Sequence, residues 1–118
     1  MKRFTKKENI HGGKGPIYFE YLHSDSELMG MCSMYAQVTM PPGSSLGYHV
    51  HEGNAESYYI LSGEGRYVAG KGDVKTEAPV YKGDVTYTPS GEGHSIENTS
   101  DEDLVFMALI INNEKRDA

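Results

Sequence analysis

The sequence predicts an all-β fold, arranged as a barrel or a sandwich. Short runs of β-branched and aromatic residues follow one another at close spacing, and glycine or proline separates most of them. No segment has the 3.6-residue apolar period of an amphipathic helix. A chain of 118 residues suffices for one two-layer core. We therefore expect a single domain over residues 17–118. Residues 1–16 are polar and glycine-rich, and we expect them to form a flexible N-terminal arm.

Four strands are predicted in the first half of the chain. Residues 17–22 are an apolar and aromatic run. Residues 31–40 alternate loosely and end before Pro41-Pro42-Gly43, because proline cannot continue a ladder of backbone hydrogen bonds. Two further strands are expected over residues 47–51 and 56–61, and the second is rich in β-forming residues.

The second half begins with a tight turn at residues 62–65, where glycine can take a positive φ. Gly70-Lys71-Gly72-Asp73 then marks a hairpin, and Pro89 ends a strand. The late run LVFMALII is unbroken and apolar, so we expect that strand to be buried on both faces. The strands of this half are predicted over residues 66–69, 74–77, 84–88, 95–97 and 104–111.

Three histidines and one glutamate form the strongest functional signal. Side chains at i and i+2 on a strand point to the same face, about 7 Å apart at their Cα atoms, so His49 and His51 can reach one ion. Glu56 can return from the next strand, and His94 can arrive from a later one. This donor set suits a divalent first-row transition metal. The alternative is that the two neighbouring histidines are surface residues, since HVHEGN is locally polar.

Two segments resemble the two sequence motifs of the cupin superfamily at every fixed position. The first is Gly43-x5-His49-x-His51-x4-Glu56-x6-Gly63. The second is Gly83-x5-Pro89-x-Gly91-x2-His94-x3-Asn98. The resemblance implies a small single-domain cupin jelly-roll β-barrel, also called a double-stranded β-helix. It implies that the two histidines and the glutamate of the first motif bind one metal ion per chain together with His94, and that Asn98 has a structural role.

The resemblance leaves several functions open, because fold does not fix function. Cupins include dioxygenases, isomerases and decarboxylases, and also sugar-binding and regulatory modules. Four protein ligands leave two positions free on an octahedral ion, and we therefore expect a small-molecule metalloenzyme. The alternatives are a non-catalytic, metal-dependent binder of a carboxylate or a sugar, and a purely structural metal site. The ion could be Mn, Fe, Co, Ni or Zn, and no catalytic residue beyond the ligands is assigned.

Three further residues are predicted to line the ligand pocket. Tyr58 and Ile60 follow Glu56 at a period of two, so they face the same interior, although the favoured interpretation of Tyr58 is a core aromatic. Ile96 shares the face of His94. His11 matches no motif position and is expected to be solvated.

Composition limits the partners. A formal charge of −6 argues against a nucleic-acid-binding protein, and no apolar run is long enough for a transmembrane helix. Lone Cys32 and the lack of a secretory signal favour the cytoplasm. We expect a homodimer, because one barrel interior can bury only one face of residues 104–111. Similar small cupins commonly pair through such faces and exchange N-terminal strands, so residues 17–22 are expected to contribute to the contact.

Overall fold

The computed structural model describes residues 3–117, which form ten strands in two antiparallel sheets. The strands are β1 (Phe4–Glu8), β2 (Pro16–Tyr21), β3 (Cys32–Met40), β4 (Ser45–Val50), β5 (Asn54–Ser62), β6 (Glu64–Lys71), β7 (Val74–Tyr81), β8 (Val85–Thr88), β9 (Gly93–Glu97) and β10 (Leu104–Asn112). One sheet has the order β1-β2-β3-β10-β5-β8 and the other β4-β9-β6-β7. A short 3₁₀ turn covers Ile10–Gly12. The all-β prediction is confirmed.

A single core fills the space between the sheets. Alternate side chains of β3 and β10, such as Val38 and Phe106, point into it and are fully buried. Leu46, Tyr67 and Ile96 enter the same core from the smaller sheet. Because side chains alternate between the two faces of a strand, one face of each strand points into this core.

The prediction that β10 is buried on both faces is wrong for the single chain. Leu104, Phe106 and Ala108 are buried, but their neighbours on the opposite face are only partly covered. Ile111, near the end of that face, is 42% exposed. The reason is geometric, since the second face points away from the core and no other element of residues 3–117 covers it completely.

The N-terminal segment differs from the predicted flexible arm. Over the described part of residues 1–16, β1 pairs with β2 from Phe4 opposite Glu20 to Glu8 opposite Pro16. Backbone hydrogen bonds in both directions between Lys14 and Ser45 then fix the segment to β4. The glycines that suggested flexibility instead permit close packing: a Cβ atom on Gly13 would lie 2.0 Å from the Ser45 carbonyl oxygen. Residues 1 and 2 lie outside the described range.

Across residues 3–117, no helix is long and apolar enough to cross a membrane.

Candidate metal centre

Both sheets contribute to a tight cluster of potential metal ligands. His49 on β4 is paired directly with His94 on β9, so the two side chains share a face. Glu56 enters from β5 of the larger sheet. His51 lies just beyond β4, where its backbone N–H donates to the carbonyl oxygen of Glu92. One ligand atom from each of the four residues lies within 4.8 Å of the other three, and we call this set the ligand cluster.

The cluster is closed by four short distances. Nε2 of His94 lies 3.1 Å from Nε2 of His49 and 3.0 Å from Nε2 of His51. Oε1 of Glu56 lies 3.0 Å from Nε2 of both His51 and His94. His51, Glu56 and His94 are buried, whereas His49 is half-buried. The sequence prediction that these four side chains converge is confirmed.

Each imidazole is oriented by its other ring nitrogen. Nδ1 of His49 lies 2.8 Å from the carbonyl oxygen of Gly47, which can only accept, so that nitrogen carries the proton. Nδ1 of His51 donates in the same way to Oδ1 of Asn54, at 2.7 Å. In these neutral tautomers Nε2 presents a lone pair to the centre of the cluster. Partners of this kind on the outer nitrogen are typical of metal-ligating histidines.

His94 has two hydroxyl partners. The hydroxyl oxygens of Tyr67 and Thr88 each lie 2.9 Å from its Nδ1, and they lie 2.8 Å from one another. All three side chains are buried. The hydroxyls thus hold the ring of the deepest histidine with Nε2 toward the other ligands.

A divalent cation fits this arrangement. Three Nε2 lone pairs and a carboxylate facing one another at about 3 Å repel unless a cation or a proton lies between them. Imidazole nitrogen and carboxylate oxygen are ligands shared by Mn, Fe, Co, Ni and Zn. The donor set is therefore compatible with every metal that the sequence left open.

The pKa values of the cluster follow from burial and from the contacts with Glu56. Burial lowers the pKa of His49 from 6.5 to about 4. The hydrogen bond with the Glu56 carboxylate raises the pKa of His51. Burial alone would raise the pKa of Glu56, but hydrogen bonds with His51 and His94 outweigh it, and the net shift is downward. Without metal, the negative charge of Glu56 thus favours a proton on His51.

A cavity of about 170 Å³ opens above the cluster. His49, His51 and Glu56 lie on its floor, while His94 is fully enclosed behind them. The remaining walls are mainly apolar, with side chains such as Val38 and Phe106. The volume is below the roughly 300–1,000 Å³ typical of sites for drug-sized ligands, so it suits a small molecule.

The three predicted pocket residues have different positions. Tyr58 lines the cavity, and its hydroxyl lies 3.5 Å from Nε2 of His94. Burial raises the pKa of Tyr58 well above its usual value, so the phenol keeps its proton. Ile60 and Ile96 are buried in the core and do not contact the cavity. The period-two pattern selected their inward face correctly, but the cavity occupies only one end of that interior.

Among the residues of the cavity wall that sequence reasoning missed, two are basic, Lys7 and His11. The ring of His11 stacks on His49 with centroids 4.1 Å apart and an interplanar angle of 15°. His11 is exposed, as expected. Its backbone is nevertheless left-handed, with φ 52°, and its ring packs against His49, a member of the ligand cluster. No local signal marked either residue, because both belong to the segment predicted to be a flexible arm.

Comparison with known proteins agrees with the geometry. A family model described as the cupin domain matches residues 36–110. The chain belongs to the cupin family. A crystal structure described as a predicted oxalate decarboxylase from Thermotoga maritima superimposes with a TM-score of 0.86 at 42% identity, covering 92% of this chain and 91% of that one. The cupin jelly-roll prediction and the assignment as a small single-domain cupin are both confirmed.

Two related proteins have functional names. The oxalate-binding protein of Thermotoga maritima is 47% identical over 103 residues, which cover 87% of this chain and 82% of that protein. The oxalate decarboxylase of Bacillus subtilis is 32% identical over 108 residues, or 91% of this chain but only 28% of the enzyme. A solved structure of that decarboxylase, studied for its Mn(II) centres, superimposes with a TM-score of 0.71 at 28% identity, covering 99% of this chain and 29% of that one.

Proposed function

We propose that the ligand cluster binds one divalent transition-metal ion and that the cavity above it holds a small carboxylate, with oxalate as the first candidate. The observation that carries the proposal is the convergence of four lone-pair donors, with the histidines held by outer hydrogen bonds, on the floor of a cavity. A divalent cation there would supply positive charge and exchangeable positions for ligand oxygens. The Mn(II) centres of the Bacillus enzyme make manganese the first ion to test.

The cavity wall supports an anionic ligand. Among residues 3–117, Glu56 carries the only carboxylate that lines the cavity. That carboxylate already contacts His51 and His94. Apart from the ligand cluster and Tyr58, the ionisable residues of the described lining are basic, namely Lys7 and His11. A small anion would therefore meet no repelling charge from a free acid on its way in. The name of the Thermotoga relative, an oxalate-binding protein, agrees with this ligand class.

We favour a protein that binds its ligand without converting it over the metalloenzyme that the sequence led us to expect. A general acid or base works best with a pKa near the operating pH. Tyr58, which carries the one hydroxyl among the described residues that line the cavity, has a pKa well above that range because it is buried. Decarboxylation is the second candidate, and the relationship to the Bacillus enzyme favours it. His11, at the mouth, is then the residue we would assign to proton transfer.

The ligand proposal is tested by metal analysis and calorimetry. The full chain is purified from its native host for metal content, and a metal-free preparation is reloaded with Mn²⁺ and titrated with oxalate. We expect one ion per chain, one oxalate per ion, and no release of carbon dioxide or formate. Release of those products would establish the decarboxylase candidate instead. Folded protein that retains no ion, or a loaded protein that does not bind millimolar oxalate, would overturn the proposal.

We also propose that the protein is a cytoplasmic homodimer. The outer face of the larger sheet supports a dimer, since Tyr59, Val85 and Tyr87 are 48%, 66% and 63% exposed on adjacent strands β5 and β8. β2 pairs with β1 and β3 of its own chain. We therefore expect β2 to contribute outward side chains such as Tyr18 to the dimer contact, without exchange of strands between the two chains. The cytoplasmic location rests on lone Cys32 and stays a prediction.

A further inference from the structure

Lys7 occupies an unusual position for a lysine. It pairs with Ile17 across β1 and β2, and residues directly opposite one another on antiparallel strands share a face. Ile17 is fully buried in the core, so Lys7 stands on the inward face of the larger sheet, near its edge. From there Lys7 borders the same cavity as the ligand cluster. An apolar residue would suit this face if packing alone mattered.

The ammonium group of Lys7 lies over an aromatic ring that lines the cavity. Its Nζ is 5.4 Å from the ring centroid of Phe19, a buried residue that also lines the cavity. Such a cation–π contact steers the lysine over the ring. Among residues 3–117, Lys7 makes no ion pair, whereas its neighbour Lys6 pairs with Glu8 at 3.2 Å. Lys7 therefore offers a positive charge without a protein counter-ion beside the candidate site.

We propose that Lys7 selects the charge of the ligand, favouring dianions over monoanions that present a similarly spaced pair of oxygens to the metal. This inference rests on the proposed function, because it assigns Lys7 to the outer end of a carboxylate whose inner end faces the ligand cluster. Apart from His11 and the ligand cluster, the other walls of the cavity do not discriminate in this way, since they are apolar or carry the neutral phenol of Tyr58. His11 lies with its ring face against His49, and Lys7 is the one lysine or arginine among the described residues that line the cavity.

The size of the effect follows from the partial exposure of the site. A hydrogen bond from an ammonium to a carboxylate is stronger than one between neutral groups. Lys7 is exposed and reaches the ligand at the rim, so water and salt screen part of the interaction. We expect loss of the charge to weaken binding of a dianion by about fivefold to tenfold. The same loss should change binding of a monoanion by less than about twofold.

The experiment compares four forms of the Mn²⁺-loaded full chain by calorimetry: wild type, Lys7→Gln, Lys7→Arg and the control Lys6→Gln. Oxalate is the dianionic probe, and glycolate is the monoanionic probe with a similarly spaced pair of oxygens. Metal content of every form is measured beside the titrations. We expect Lys7→Gln to lose oxalate affinity but not glycolate affinity or metal. Lys7→Arg and Lys6→Gln should match the wild type, and added salt should narrow the difference for oxalate.

The outcomes of this experiment distinguish a failure of the role of Lys7 from a failure of the proposed ligand class. Wild type that binds neither probe overturns the proposed ligand class, and the role of Lys7 with it. Wild type that binds oxalate while Lys7→Gln binds it equally well overturns only the role of Lys7. Equal weakening of both probes, or loss of metal from Lys7→Gln, also overturns it, because a structural role would produce that pattern. Failure of Lys7→Arg to retain affinity would contradict selection by charge.

Discussion

Removing both hydroxyl groups beside His94 should weaken metal binding far more than removing either one. The hydroxyl oxygens of Tyr67 and Thr88 lie at the same 2.9 Å from Nδ1 of His94. When Nε2 binds a metal, Nδ1 carries a proton, and either hydroxyl alone can accept it. Tyr67→Phe or Thr88→Val therefore leaves one partner. The double variant leaves the buried Nδ1–H of His94 without either hydroxyl acceptor. Water cannot replace these hydroxyls, because His94 is 0% exposed.

The expected magnitudes follow from that difference. Each single variant should weaken Mn²⁺ binding by about twofold, since one acceptor is retained. The double variant should weaken it by about 10- to 100-fold, which is the usual effect of losing the outer partners of a ligating histidine. That loss corresponds to about 1.4–2.7 kcal/mol, within the 1–3 kcal/mol cost of an unsatisfied buried donor. It exceeds the roughly fourfold product of the two single effects.

Competition with a metal-binding dye provides the assay. Affinities of the wild type, both single variants and the double variant form a double-mutant cycle, and melting curves without metal report any general loss of stability. Tyr59→Phe serves as the control, because it removes an exposed phenol from the outer face of β5, which points away from His94. A double variant whose effect equals the product of the singles would refute the view that the two hydroxyls substitute for one another.

Three further predictions concern the metal, the pH and the assembly. His51→Ala/His94→Ala should abolish most metal binding by a folded protein, so full metal occupancy measured by mass spectrometry would contradict ligation by the cluster. As pH falls through the raised pKa of His51, proton and metal compete, and Mn²⁺ affinity should drop about tenfold per pH unit. His49, with a pKa of about 4, adds a second proton only near that pH. For the metal-free protein the sign reverses: the raised pKa of His51 stabilises it below about 6.5, and this contribution is lost as pH rises through the folded pKa. The gain in melting temperature on adding Mn²⁺ should therefore grow with pH, and a constant gain between pH 5 and 8 would count against histidine ligation. Sedimentation at micromolar concentration should give a dimer that Met107→Glu, on the outer face of β10, converts to a monomer near 13.0 kDa; a wild-type monomer would reject the dimer.

The strands could be predicted well because their signals are local. LVFMALII predicted residues 104–111, and β10 runs over Leu104–Asn112. The hairpin around Gly70-Lys71-Gly72-Asp73 was placed correctly, but its second strand was ended too early, at residue 77, whereas β7 continues to Tyr81. β7 tolerates Pro79 because it lies at the edge of its sheet, where a missing backbone N–H can face outward. Edge position depends on the whole topology and cannot be inferred from a short run of residues.

The site was predictable where its residues are close in sequence or match a motif. The i, i+2 spacing and the cupin resemblance led to the ligand cluster, which the geometry brings together. The groups that orient or surround the cluster were not predicted. Tyr67 reaches His94 only because β6 pairs with β9, and Lys7 reaches the cavity only because β1 pairs with β2. Both depend on long-range pairing that has no local pattern, and a polar strand such as FTKKE shows no apolar alternation.

The central position of β10 has a consequence for how the chain folds. β10 lies between β3 and β5, so the larger sheet is split until residues 104–112 are available. During synthesis, His49, His51 and Glu56 therefore leave the ribosome well before the strand that joins the two halves of the larger sheet. Contacts so distant in sequence slow folding into the range of milliseconds to seconds. We expect nascent chains that lack this strand to expose apolar edges and to depend on chaperones.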